Sequence, residues 1–260
     1  MSMMNHIEAS LPQDFSPRSA ETLIRLGRNF DGGYLIDARN INESTALIGL
    51  GMNDDWSFES DFYSRKKIPV YVYDSTVSGQ RFIKKFIKSI FVKFHRPKRL
   101  ASLFSLCLSY FRFFREDRRH IRKLVGVDAP PGFVSLASIL KDLPTPENRR
   151  IFLKVDIEGW EYRILEDLLT YSGQIEGLAI EFHDVDIHLD RIAHFIKKFP
   201  LKLIHVHGNN TGFVSKDGTP HVIECTFTSR TVGACIETDL PHPLDMPCNK
   251  DRPELKISFA

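Results

Sequence analysis

The chain has 260 residues, 42% of them apolar and 26% charged, with a formal net charge of +2. That length and composition are enough to bury a full core, and they exclude a disordered chain or a small disulfide scaffold. Cys107, Cys225, Cys235 and Cys248 lack the paired CxxC spacing of a zinc site, residues 1–16 hold no apolar signal core, and no segment reaches the roughly 20 apolar residues of a membrane span, so a reduced, cytoplasmic setting is expected.

Residues 1–45 form an N-terminal extension in which Asp31-Gly-Gly-Tyr34 reads as a tight turn, and the sequence leaves open whether Arg25, Asp31 or Tyr34 touches a ligand. A first core strand is expected at 46–50, a helix at about 56–66 and a second strand at 70–74. A basic stretch follows, treated as an insertion over 81–125, with fourteen Lys or Arg between 81 and 123 against only Glu116 and Asp117. Within it, Phe82, Ile83, Phe86, Ile87, Ile90, Phe91 and Phe94 fall on one half of a helix, with Arg81, Lys84, Lys85 and Lys88 on the other. A second helix is expected at 100–114. The pair is expected to pack as a cap on the main domain, the alternative being contact with an anionic membrane or substrate. Nucleic acid is not expected as a partner, because the aromatics lie on the apolar face rather than between the charges.

Residues 132–140 are read as a short third strand and a helix start. The next strand, 151–157, is almost continuously apolar, as in a sheet covered on both faces. Its helix carries Trp160, Ile164, Leu165, Leu168 and Leu169 at helical spacing, leaving Glu161, Arg163, Glu166 and Asp167 for solvent. Strands at 175–183 and 201–207 flank a helix at about 188–199. The last strand, 221–227, follows a loop rich in Gly and Asn, which predicts an antiparallel hairpin with 201–207. The order predicts an α/β fold, a mostly parallel doubly wound sheet ending in that hairpin, with a main domain over 46–240 and a tail over 241–260 that wraps its surface.

Such sheets bind ligands at the carboxyl ends of their strands. Gly49-Leu-Gly51 closes the first strand and allows close approach to its backbone, with Asn53 in the loop beyond. Asp74 closes the second, where an acid can accept hydrogen bonds from both ribose hydroxyls of a nucleoside. No Gly-Lys-Ser phosphate loop is present, and the third glycine of a dinucleotide fingerprint is missing, which favours S-adenosylmethionine over ATP or NAD. Asp156 and Glu158 end the fourth strand; they either cap the following helix or face a ligand.

The segment Leu153-Lys-Val-Asp-Ile-Glu-Gly-Trp-Glu161 resembles the Lys-x-Asp-x-Glu-Gly-x-Glu signature of FkbM-type methyltransferases. Arg25 to Tyr34 is similar to a segment ahead of the first strand in one branch of that family, and His205-Val-His-Gly-Asn-Asn210 to a late motif of the same branch. The resemblance covers most of the chain outside the insertion and the two ends. It implies a class I Rossmann-like sheet with S-adenosylmethionine over the first two strands, and O-methylation of a sugar or another hydroxylated small molecule. The basic, Phe-rich stretch departs from it.

Glu181, His183, His205 and His207 end later strands, and alternation places His205 and His207 on one face. Methyl transfer to an alcohol needs an aligned acceptor and a base. His183 or His207 is expected to be that base, with Asp156 orienting it or the acceptor. Gly49, Gly51, Asn53, Asp74 and Asp156 are expected at the cofactor, and Glu158, Glu181, Asn209 and Asn210 at the substrate, the two asparagines alternatively forming the hairpin turn. A divalent metal held among these groups is a further option. Two other classes stay open: a metal-dependent hydrolase using Asp156, Glu181, His183 and His207, and a non-catalytic membrane-associated binding protein.

Overall fold

A computed structural model describes residues 7–92, 96–128, 131–143, 149–233 and 240–260. Phe94 and Cys235 lie outside the described residues. In chain order the strands and helices begin with β1 (Ile7–Leu11), β2 (Leu23–Leu26), β3 (Tyr34–Asp37), α1 (Ala38–Glu43), β4 (Ala46–Leu50), α2 (Ser57–Arg65) and β5 (Val70–Tyr73). The basic stretch contributes α3 (Gly79–Val92) and α4 (Pro97–Phe113), and after it come β6 (Arg118–Ile121), β7 (Leu124–Val125), β8 (Phe133–Val134) and α5 (Leu136–Asp142). The second half holds β9 (Ile151–Val155), α6 (Leu165–Thr170), β10 (Ile175–Phe182), α7 (Val185–Lys198), β11 (Lys202–Gly208), β12 (Ile223–Thr228) and β13 (Leu255–Phe259).

Seven strands form one sheet in the order β11-β12-β10-β9-β4-β5-β6, and β12 alone runs against its neighbours. Counted along the chain this is 3-2-1-4-5-7-6, the Rossmann-like, class I sheet with a reversed last strand. The order reverses between β4 and β9, where a doubly wound sheet opens a crevice at its carboxyl edge. Successive residues of β4 and β9 point to opposite faces. Ile48, Leu50, Leu153 and Val155 pack under α5, α6 and α7, whereas Leu47 and Phe152 pack with Phe58 and Phe62 of α2. Phe152 is fully buried with its ring 5.1 Å from that of Phe62. Truncation of such a side chain to Ala costs about 3–5 kcal/mol.

Three features depart from the sequence reading. The third strand of the sheet is β6, inside the stretch read as insertion, and 133–134 pairs only with β7 in a separate ribbon. Strand β6 carries no apolar alternation because it is an edge: Arg118 lies over the rings of Tyr63 and Phe113, and His120 bonds Tyr110 and the Asp74 carbonyl. The inserted hairpin is therefore α3 and α4. Its root is an aromatic cluster in which Trp56 meets Phe82, Tyr110 and Phe114. Residues 7–45 are also more than an extension, since β1 pairs in parallel with β13 of the tail and β3 lays Tyr34 against Phe58 beside the crevice.

Candidate active site

At the end of β4, Gly51 takes φ +82°, and a Cβ there would lie 1.7 Å from the Asp156 carbonyl oxygen, so only glycine lets β4 and β9 close together at this point. Beyond it, Met52 and Asn53 donate their amide N–H to one Asp74 oxygen at 3.0 and 2.8 Å. The other oxygen accepts the amide and hydroxyl of Thr76, both at 2.6 Å. Burial opposes the Asp74 charge, but the bonds from Thr76, Met52 and Asn53 outweigh it and hold the carboxyl below its usual range. Asp74 is thus a clamp joining the loops after β4 and β5, and it borders a cavity of about 420 Å³. The apolar walls of that cavity are Tyr73, Leu124, Val125, Ile157 and Trp160, and Asp156 and Glu158 close its far side.

The segment after β9 explains its own residue types. Lys154 is buried, its ammonium 3.7 Å from Asp156, 3.4 Å from the Gly51 carbonyl and 5.3 Å from the Tyr34 ring centre. Burial works against this charge, and Asp156, Glu59 and Glu181 overcome it, raising the ammonium above the ordinary lysine value. Glu158 and Gly159 are both left-handed, at φ +54° and +91°, and fold the chain back on itself; a non-glycine residue held there is a strained position of the kind found at ligand sites. Glu161 locks the turn by accepting the amides of Ile157 and Gly159, each at 3.0 Å. It is fully buried, which corrects its assignment to solvent, and α6 starts only at Leu165. Asp156 and Glu158 therefore wall the crevice rather than cap a helix.

A second cavity, of about 600 Å³, adjoins the first and shares Met52, Asn53, Asp156 and Glu158 with it. Here the expected groups meet. His183 faces Glu158 at 3.5 Å and Glu181 at 3.9 Å through Nε2, while Nδ1 contacts Glu161 at 3.2 Å. Burial lowers the His183 pKa, but Glu161, Glu181 and Asp156 reverse this and lift it to about 9. Glu181 accepts Tyr34 Oη at 3.0 Å and Asn209 Nδ2 at 2.8 Å, and burial with Asp156 and Glu224 nearby raises it to about 8. Seven acidic side chains line this cavity, Asp31, Asp54, Asp55, Glu59, Asp156, Glu158 and Glu181, and Arg28, Lys154 and Arg252 line it with them. Glu59 is fully buried with neither oxygen hydrogen-bonded, and burial, opposed by Lys154, lifts it to about 7.

Other expected residues are placed elsewhere. His207 does not line either cavity: β12 lies between β10 and β11, so Glu181, Glu224 and His207 form a row across three strands, with Glu224 bonded to His207 Nδ1 at 3.0 Å and Glu254 to Nε2 at 3.2 Å. His205, on the same face, bonds Asp245 of the tail at 3.0 Å. The set Asp156, Glu181, His183 and His207 is consequently not assembled as one metal site. Among the described residues, ligand atoms of Asp156, Glu158 and His183, and separately of His207, Glu224 and Cys248, come within 4.8 Å of one another. Asn210 points away from the cavity and fastens the tail, donating to the carbonyls of Asn249, Arg252 and Pro253. Gly49 borders neither cavity; a Cβ there would meet Glu59 at 2.7 Å. Tyr34, left open as a ligand contact by the sequence, bonds Glu181 at the cavity, whereas Lys154, Glu59 and Glu161 are not among the expected site residues. Lys154 and Glu161 are the outer ends of the quoted motif, and that was their signal.

No protein-family model matches the chain, and no curated protein matches it in sequence. Among solved structures it is similar to an rRNA methylase from Streptococcus thermophilus, at 11% identity over 74% of this chain and 93% of that one, with a TM-score of 0.36. The 23S rRNA methyltransferase ErmE aligns at 11% identity over 75% and 67%, TM-score 0.38. The plantazolicin methyltransferase BamL, in complex with a triazolic desmethylPZN analog and SAH, aligns at 10% over 71% and 76%, TM-score 0.33. Neither substrate nor residue roles follow from likeness at this level.

Proposed function

We propose that this chain is an S-adenosylmethionine-dependent O-methyltransferase acting on a hydroxylated small molecule or glycan in the cytoplasm. The observation that carries the reading is the pair of adjoining cavities at the switch point of the sheet, with Asn53, Asp156 and Glu158 as their common wall. The smaller cavity suits a nucleoside with a cationic amino-acid tail: apolar lining at Tyr73, Leu124, Val125, Ile157 and Trp160 for a base, backbone at Gly51 to Asn53, and carboxylates at Asp156 and Glu158 for positive charge. When bound there, S-adenosylmethionine supplies an electrophilic methyl group. In this reading Gly51, Asn53, Asp74 and Asp156 hold the donor, Asp74 through the loop it clamps.

The larger cavity suits the acceptor. Its carboxylates can accept hydrogen bonds from hydroxyls, Asn209 is held in its wall by Glu181 and Thr211, and Phe213, stacked on His221 at 4.3 Å, offers an aromatic face for a sugar ring. His183 Nε2 opens onto this cavity while Glu161 holds Nδ1, so His183 is assigned as the base and Asp156 as the group that orients it or the acceptor. With its pKa near 9, His183 is an imidazolium at neutral pH; positive charge in the neighbouring cavity lowers that value by like-charge repulsion and readies the ring to accept a proton. A metal-assisted variant rests on the ligand geometry of Asp156, Glu158 and His183. Transfer of isotopically labelled methyl from S-adenosylmethionine to a panel of polyols and glycans, with and without chelator, tests both. Labelled methyl ether product supports the assignment, loss of transfer on chelation selects the metal variant, and hydrolysis without any methyl donor overturns it.

A further inference from the structure

Helix α3 has three sides rather than two. Phe82 and Ser89 are buried against the domain, with Phe86 half-buried beside them. Next round the helix come Ile83, Ile87, Ile90 and Phe91, all exposed, Phe91 at 82%. Arg81, Lys84, Lys85 and Lys88 occupy the remaining arc. The expected cap would have buried the whole apolar half, and only part of it is covered. Helix α4 adds a matching stripe: Phe104, Leu108 and Phe111, at helical spacing, are 54%, 45% and 51% exposed. The helices run antiparallel, with Phe86 packed on Phe104 at 5.6 Å and Gly79 under Phe111, so the two stripes lie side by side in one apolar patch.

The charge carried by the hairpin itself has one sign, although Lys85 lies 3.9 Å from Asp54 of the domain. Between 81 and 115 there are ten Lys or Arg and no acidic residue. We propose that the α3–α4 hairpin docks on an anionic lipid surface, the apolar patch entering the headgroup boundary and the Lys and Arg side chains meeting the headgroups. Exposed aliphatic and aromatic side chains rimmed by cations are the features of a helix lying in that interface. None of the described helices is long and apolar enough to cross a membrane, so the hairpin lies on the bilayer rather than spanning it. A second copy of the chain is a poorer occupant, because pairing through this face would oppose one cationic rim to another. The docking is independent of the proposed chemistry, although Arg81 links the two by beginning the hairpin and lining the smaller cavity.

The test is co-sedimentation of the full chain with vesicles, without cofactor or acceptor, so that failure of the methyltransferase reading leaves it unaffected. Binding is expected to vesicles of phosphatidylcholine with phosphatidylglycerol, to weaken with added salt, and to be absent with phosphatidylcholine alone. The triple variant Lys84→Glu, Lys85→Glu, Lys88→Glu should bind at least about 100-fold more weakly. Phe91→Asp should lose about 10-fold or more, and because these side chains are exposed, far-ultraviolet circular dichroism should be unchanged. Ile87→Trp should shift its emission to the blue on binding. No co-sedimentation at low salt, an Ile87→Trp emission unchanged by vesicles, or a stable dimer that hides this patch would overturn the proposal.

Discussion

Asp74→Asn separates two roles that a single acidic residue at this place could have. The wild-type carboxylate accepts four hydrogen bonds, from the amides of Met52, Asn53 and Thr76 and the Thr76 hydroxyl, and the residue is 7% exposed. An asparagine of the same shape keeps one acceptor oxygen and turns an NH2 toward one pair of donors. The better orientation aims that NH2 at Thr76, whose hydroxyl can rotate to accept, but the Thr76 amide then faces a donor, and the bonds from Met52 and Asn53 lose their charge assistance. One unsatisfied buried amide and two weakened bonds amount to about 2–4 kcal/mol. For a chain of this size that is roughly 4–8 °C in Tm. Because the depressed pKa makes Asp74 stabilising only when ionised, the deficit should be present above the ordinary carboxyl value near pH 3.8 and close as the pH falls through the lower folded value. Calorimetric titration with S-adenosylhomocysteine should show an affinity loss of about 10-fold or more in the same variant, as the Met52–Asn53 loop loosens. An unchanged Tm would refute the clamp; a lowered Tm with unchanged affinity would refute the placement of the donor beside it.

Three further outcomes follow from the geometry. His183→Gln should cut turnover about 100-fold with donor affinity little altered, and the stability that wild-type His183 contributes, present below about pH 6.5, should disappear as the pH rises through about 9, read by urea unfolding across that range. Asn210→Ala removes the two N–H donors shared among three tail carbonyls and the acceptor of the Asn249 amide, and should cost about 2–4 kcal/mol and speed proteolysis near residue 250, without changing affinity for S-adenosylhomocysteine. Gly51→Ala should be destabilising by more than the roughly 1–2 kcal/mol of a left-handed residue, since its Cβ meets a backbone carbonyl, and thermal unfolding should show it.

The sheet was legible because its central strands are buried on both faces: 151–157 reads as a near-continuous apolar run beside the apolar-rich 46–50 and 175–183, and the structure places strands at Ala46–Leu50, Ile151–Val155 and Ile175–Phe182. The edge strand Arg118–Ile121 was hidden, since arginine stacked on Tyr63 and Phe113 does the packing that apolar alternation would announce. The pairing of Ile7–Leu11 with Leu255–Phe259 joins opposite ends of the chain and leaves no local signal. Strand-end position pointed to Asp156, Glu158, Glu181 and His183, which line the larger cavity. It also pointed to His207, because spacing along a strand does not reveal that β12 inserts between it and the crevice and interposes Glu224. Glu161 was assigned to solvent on a helical period that begins only after the left-handed pair Glu158 and Gly159 has turned the chain.

The proposed methyl-donor site is the cleft beside Gly51, Leu124 and Trp160. Isothermal titration of the purified chain with S-adenosylhomocysteine tests it most directly, with Trp160→Ala as the comparison. Binding is expected at one site per chain, weakened about 10-fold or more when the Trp160 side chain is removed from the cavity lining. Absence of any heat or thermal shift in the folded wild-type protein, or an affinity that Trp160→Ala leaves untouched, would contradict it.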